Sequence, residues 1–168
     1  VEKLKIAIGC DHAGFDLKPN LMDYLKKNKI EIIDEGTFSA ESTDYPIYAD
    51  KVALDVVSKK VDLGILICGT GIGISIVANK VRGIRAVACS EPYSAKMSHE
   101  HNNANILAFG SRVVGCELAK MIVDAWLGTE FQGGKHQRRV DLITCLEKKQ
   151  QEQGALNTST GQKHIRQD

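Results

Sequence analysis

Five short apolar runs, at residues 4–9, 30–34, 63–68, 84–89 and 105–109, alternate with segments of helical apolar spacing, and nothing else in the chain limits its fold so tightly. Strands this short, each followed by a helix, join most readily through right-handed crossovers into a parallel sheet covered on both faces. The helical segments fall at 16–28, with Leu17, Leu21, Met22 and Leu25 on one face, and at 46–59, with Ala49, Val52, Ala53, Val56 and Val57 inward. Others follow at 73–81, 92–99, 115–127 (bearing Trp126) and 137–151. The expectation is a three-layer, doubly wound, Rossmann-like α/β fold of strand order 2-1-3-4-5, ending in a C-terminal helix. In that order the crevice opens between the ends of strands 1 and 3, where connections leave to opposite faces and ligands bind.

A chain of 168 residues with 43% hydrophobic content suits one compact core. We divide it into a single domain over 1–150 and a tail over 151–168, because the sequence beyond 150 is polar and lacks an apolar face. Lysine and arginine (22) nearly balance aspartate and glutamate (21), so no global field recruits nucleic acid or an acidic membrane. Anion affinity must come from local clusters, and the expected partner is a small molecule. No segment resembles a signal peptide or reaches the roughly 20 apolar residues of a membrane span, so a cytoplasmic location is expected. The five cysteines, at 10, 68, 89, 116 and 145, show no CxxC spacing, which argues for reduced thiols and against a metal site.

Two strand ends carry the residues best suited to chemistry. Cys10, Asp11 and His12 follow strand 1, and Cys68 closes strand 3 just before Gly69-Thr70-Gly71-Ile72-Gly73. Such a glycine-rich turn brings backbone amides close to an anion and stabilises an oxyanion without reorganising. Amides favour the charged form of a neighbouring thiol while burial opposes it. Packing alone and proton transfer are both open for Cys68, and the loop favours the second. Asp11 and His12 have two roles open to them, capping the next helix or touching a ligand. Tyr45, ahead of Pro46, suits packing and ligand contact equally. His99 and His101 end a helix, where imidazolium complements the dipole; His99 needs no further role, and Arg82 and Arg85 are assigned none.

His101 poses a geometric question. A helix returning from strand 4 ends at the sheet edge opposite the crevice, so a catalytic His101 must serve a neighbouring subunit in an isologous dimer. Lys135, His136, Arg138 and Arg139 follow another descending helix; they form either a solvated face or a phosphate clamp. Arg112, just past strand 5, is a further phosphate candidate.

Several motifs are specific when taken together: Ile-Gly-Cys-Asp-His-Ala-Gly-Phe at 8–15, Thr-Asp-Tyr-Pro at 43–46 and Ile-Cys-Gly-Thr-Gly-Ile-Gly-Ile-Ser-Ile at 67–76. They continue with Ala-Asn-Lys at 78–80, Gly-Ile-Arg-Ala at 83–86, His-Asn-Asn-Ala-Asn at 101–105 and Gly-Ser-Arg at 110–112. Over residues 5–147 the chain resembles the type B ribose-5-phosphate isomerases, a family that includes galactose-6-phosphate and allose-6-phosphate isomerases. The resemblance implies aldose–ketose isomerisation of ribose 5-phosphate and ribulose 5-phosphate, in the pentose phosphate pathway, with no metal or other cofactor. It implies that Cys68 moves the proton, that His101 assists ring opening and that Thr70 relays a proton between substrate oxygens. The amides of Gly69, Gly71, Ile72 and Gly73 would then hold the anion, Asp11 and Asn102 the sugar hydroxyls, and His12, Arg112 and Arg139 the phosphate. Lys135 stands where some relatives carry arginine, and the tail exceeds the family's usual end. The resemblance also implies a homodimer with shared sites, in some members a tetramer. The alternatives are an isomerase of a six-carbon sugar phosphate and a phosphosugar-binding protein without turnover.

Overall fold

The computed structural model describes residues 3–161, and side chains through residue 156. Eleven elements follow one another: β1 (Lys5–Cys10), α1 (Leu17–Lys27), β2 (Glu31–Asp34), α2 (Tyr45–Val57), β3 (Leu63–Cys68) and α3 (Ile72–Ala78), then β4 (Ala86–Ala88), α4 (Pro92–Asn102), β5 (Ile106–Gly110), α5 (Cys116–Leu127) and α6 (Lys135–Gly161). All five strands pair in parallel, as the alternating pattern requires.

The strand order is β2-β1-β3-β5-β4 rather than the expected 2-1-3-4-5. Burial explains the exchange. Every residue of β5 is buried, whereas β4 is three residues long and grades from buried to exposed, the profile of an edge. Placing β5 beside β3 puts Gly110 opposite Cys68 and brings the loop after β5 into the crevice.

Alternation along the strands splits the interior into two cores. Ile6, Ile8, Cys10, Ile65, Ile67, Leu107 and Phe109 pack with α1 and α5, around a fully buried Trp126. Ala7, Leu66, Cys68, Ile106 and Ala108 face α2 and α3. The register pairs Cys10 with Ile67, so Cys68 lies one residue further along and on the opposite face. Gly64 lets α2 approach closely, since a Cβ there would lie 2.6 Å from Val52.

Helix starts follow local chemistry. Glu91 caps α4, its carboxylate accepting from the N–H groups of Tyr93 (2.6 Å) and Ser94 (2.8 Å), with Pro92 in the first turn. The last helix differs from expectation: it begins at Lys135 and continues through Gly161, across the start of the segment read as a tail. Residues 135–153 are rich in Glu, Gln, Lys, Arg and Leu, which favour a helix, whereas the last turns carry Gly154, Asn157, Thr158 and Thr160, which do not. The helix is also docked, because Glu147 accepts the Gly83 N–H and Arg82 donates to the Gln151 side chain at 3.0 Å. The remainder of that segment, 162–168, lies outside the described residues. No helix among the described residues is long and apolar enough to cross a membrane.

Candidate active site

Cys68 is buried at the C-terminal end of β3, and its Sγ accepts a hydrogen bond from the Gly71 N–H at 3.1 Å. Gly71 is the pivot of the turn, with φ +79° and space for hydrogen only: a Cβ would lie 2.7 Å from the Phe109 backbone. Thr70 Oγ1 accepts the Ile72 N–H at 3.2 Å and so keeps its own proton available to donate. The N–H groups of Gly69, Thr70 and Gly73 have no protein acceptor among the described residues. A buried sulfur thus sits beside a row of unsatisfied donors, an arrangement that attracts an anionic ligand.

Three other segments border this loop. From α2, the Tyr45 ring lies against Gly73, whose Cβ would come within 2.7 Å of it. From the segment after β5, the Arg112 guanidinium covers Gly69, and the Arg112 N–H donates to the Gly69 carbonyl at 3.2 Å. From the segment after β1, buried Asp11 accepts the N–H groups of Ala13 (2.9 Å) and Gly14 (3.3 Å) through Oδ1, so it closes its own turn. His12 Nδ1 lies 3.2 Å from both the N–H and the carbonyl oxygen of Thr43. The backbone of Thr43 therefore offers that nitrogen a donor and an acceptor, one for each tautomer of the ring. The Thr43 hydroxyl pairs with the Tyr48 hydroxyl at 2.9 Å, which braces the same corner.

His101, Asn102, Lys135 and Arg139 are not brought to this crevice within one chain. The Asn102 and Asn103 carbonyls accept from the Arg85 guanidinium, just ahead of β4, so the end of α4 lies at the N-terminal edge of the sheet. There His101 stacks on His136, with ring centroids 4.2 Å apart and planes 3° from parallel. His136 is held below the usual imidazole range by burial first, then by His101, Lys135 and Arg139 nearby. Lys135 and Arg139 themselves are exposed.

The other cysteines differ from Cys68 in setting. Burial pushes the Cys10 thiol up to about 11, and burial also lifts Cys89 to about 11. Neither is ionised near neutrality. Among the described residues no cluster of three or more His, Cys, Asp or Glu side chains is placed to hold a metal ion.

Thr43, Tyr48, Ser111 and the stacking of His136 on His101 emerge only from the structure. Thr43 lies in the Thr-Asp-Tyr-Pro motif and Ser111 directly precedes Arg112, whereas the contact of Thr43 with His12 joins residues 31 apart and had no local signal. The His101–His136 stack joins residues 35 apart and had no local signature.

The ribose/galactose isomerase family matches residues 6–143 of the chain. The chain belongs to the ribose/galactose isomerase family. It is 63% identical over 145 residues to Escherichia coli ribose-5-phosphate isomerase B, covering 86% of this chain and 97% of that protein. The structure of Clostridium thermocellum ribose-5-phosphate isomerase B superposes with a TM-score of 0.86 at 58% identity, over 87% of this chain and 99% of that one. The chain is also 44% identical over 151 residues to Pectobacterium atrosepticum D-erythrulose-4-phosphate isomerase, covering 89% of this chain and 99% of that protein. Membership makes the chain an enzyme of the isomerase class.

Proposed function

We propose that the chain interconverts D-ribose 5-phosphate and D-ribulose 5-phosphate, as a cytoplasmic enzyme of the pentose phosphate pathway. The observation that carries the reading is the Cys68 sulfur, bonded to Gly71 N–H and flanked by the unsatisfied amides of Gly69, Thr70 and Gly73. Cys68, as thiolate, takes the C2 proton of the open-chain aldose. The C–H electron pair forms the C1–C2 double bond and the carbonyl electrons collect on O1, giving an enediolate. The amides stabilise that charge more than they stabilise the neutral sugar, which is the condition for catalysis. Thr70 carries the O2 proton to O1, and the Cys68 thiol then protonates C1 to complete the ketose.

The phosphate and the ring-opening step need cations and an acid from elsewhere. Arg112 and His12 supply one side of the phosphate site. His101, Asn102, Lys135 and Arg139 lie too far away within one chain, so we assign them to the crevice of a second copy in a homodimer, with His101 donating to the ring oxygen. Lysine in place of arginine at 135 gives a point charge rather than a bidentate fork.

A second reading, another sugar phosphate as preferred substrate, draws on the 44% identity to a four-carbon phosphosugar isomerase. The 63% identity to a ribose-5-phosphate isomerase favours the five-carbon sugar. Steady-state rates on ribose 5-phosphate, allose 6-phosphate and erythrulose 4-phosphate test this. We expect kcat/KM on ribose 5-phosphate to exceed the other two by about tenfold or more, since one carbon changes the fit by roughly that factor. A higher value on either competitor overturns the substrate assignment.

A further inference from the structure

Ser111 stands immediately after β5, half-buried, with no place in the chemistry above. Its N–H donates to the Cys68 carbonyl at 2.9 Å. Its hydroxyl lies 2.6 Å from the Ala13 carbonyl and 3.3 Å from that of Cys68, so its single proton goes to Ala13. One residue thereby ties together the segments that follow β1, β3 and β5. Each segment carries candidate machinery: Asp11 and His12 on the first, Cys68 on the second, Arg112 on the third. The tie depends on β5 lying next to β3, the feature of the sheet that strand connectivity did not foretell.

We propose that Ser111 is a positioning residue for substrate binding, acting through the 11–14 turn. The backbone bond holds Cys68 whatever the side chain. The hydroxyl, by contrast, directs its proton to the turn bearing Asp11 and His12, its approach to the Cys68 carbonyl being the longer one at 3.3 Å. That turn is otherwise fixed to β3 by the Asp11 N–H on the Ile67 carbonyl at 3.2 Å and by close packing of Gly14 on Ile67. Removing the hydroxyl therefore loosens the turn without releasing it. Ligand-binding groups lose alignment while the sulfur keeps its place.

The inference rests on the isomerase reading, and its test separates the two. In Ser111→Ala, we expect KM for ribose 5-phosphate to rise about tenfold with kcat within about threefold of wild type, the signature of lost binding rather than lost chemistry. Hydrogen exchange at the Ala13 and Gly14 amides should quicken by about tenfold in the same variant, and Ser111→Thr, which keeps the hydroxyl, should restore both values. An unchanged KM, unchanged exchange at those amides, or failure of threonine to rescue would overturn the role. A wild-type chain inactive on ribose 5-phosphate would sink the functional reading instead, while the exchange comparison would still decide whether the hydroxyl pins the turn.

Discussion

Cys10 and Cys68 end neighbouring strands, and a one-residue offset in register gives them opposite fates. Cys10 faces the α1–α5 core, where its thiol is raised to about 11; Cys68 faces the other layer, against the glycine loop. At pH 7.5, iodoacetamide should modify exposed Cys145 and leave Cys10 and Cys89 intact in the folded protein, as peptide mass mapping would show. The raised values also fix the sign of a stability effect. Unfolding lets both thiols ionise near 9.0, so their contribution is full below that pH and is lost as pH climbs through about 11. A chain with both replaced by alanine should show a flatter alkaline fall in melting temperature. The placement of Cys68 against the glycine loop was legible because that loop follows it directly in sequence. The inertness of Cys10 was only half legible: alternation places it on the other face, but the depth of its burial belongs to the packed core.

At the level of elements, the ion pair of buried Lys18 with partly exposed Asp34 joins α1 to the end of β2. Lys18 is 3% exposed, and its ammonium donates to the Asp34 carboxylate and to the Thr37 carbonyl, each at 2.6 Å. Asp34→Ala leaves that cation buried with one acceptor fewer and should cost about 3 kcal/mol, read as a lower urea midpoint with an unchanged slope. A loss under about 0.5 kcal/mol would mean that the pair is effectively solvated. The strands and the first five helices were readable from apolar spacing, with ends off by a few residues. Two features were not. The exchange of β4 and β5 follows from how completely each strand is buried, which depends on the helices that cover it. The run of α6 past Gln151 to Gly161 crosses Gly154, Asn157, Thr158 and Thr160, where neither propensity nor apolar periodicity marks a helix; Glu147 and Gln151, which bond the turn at 82–83, anchor the part that the sequence does mark.

For the whole molecule, the decisive fact is the separation of Cys68 from His101 across the sheet. Either His101 is irrelevant to the chemistry, or two chains combine to build each site. Mixing Cys68→Ala with His101→Asn distinguishes these cases. A heterodimer with shared sites holds one doubly altered site and one intact site, so two weak homodimers should recover roughly a quarter of wild-type activity after subunit exchange. No recovery, with exchange verified by mass, would exclude shared sites. The residues of the crevice were largely legible in sequence because they cluster at strand ends 1, 3 and 5. The grouping of His101 with His136 was not, since it depends on how α4 and α6 pack.

The most direct test of the account is Cys68→Ala assayed for both binding and turnover of ribose 5-phosphate. We predict binding within a few-fold of wild type and turnover lower by roughly 10³-fold, the loss expected when a proton-transfer group is removed from an otherwise intact site. Turnover close to that of wild type would contradict the role assigned to the sulfur.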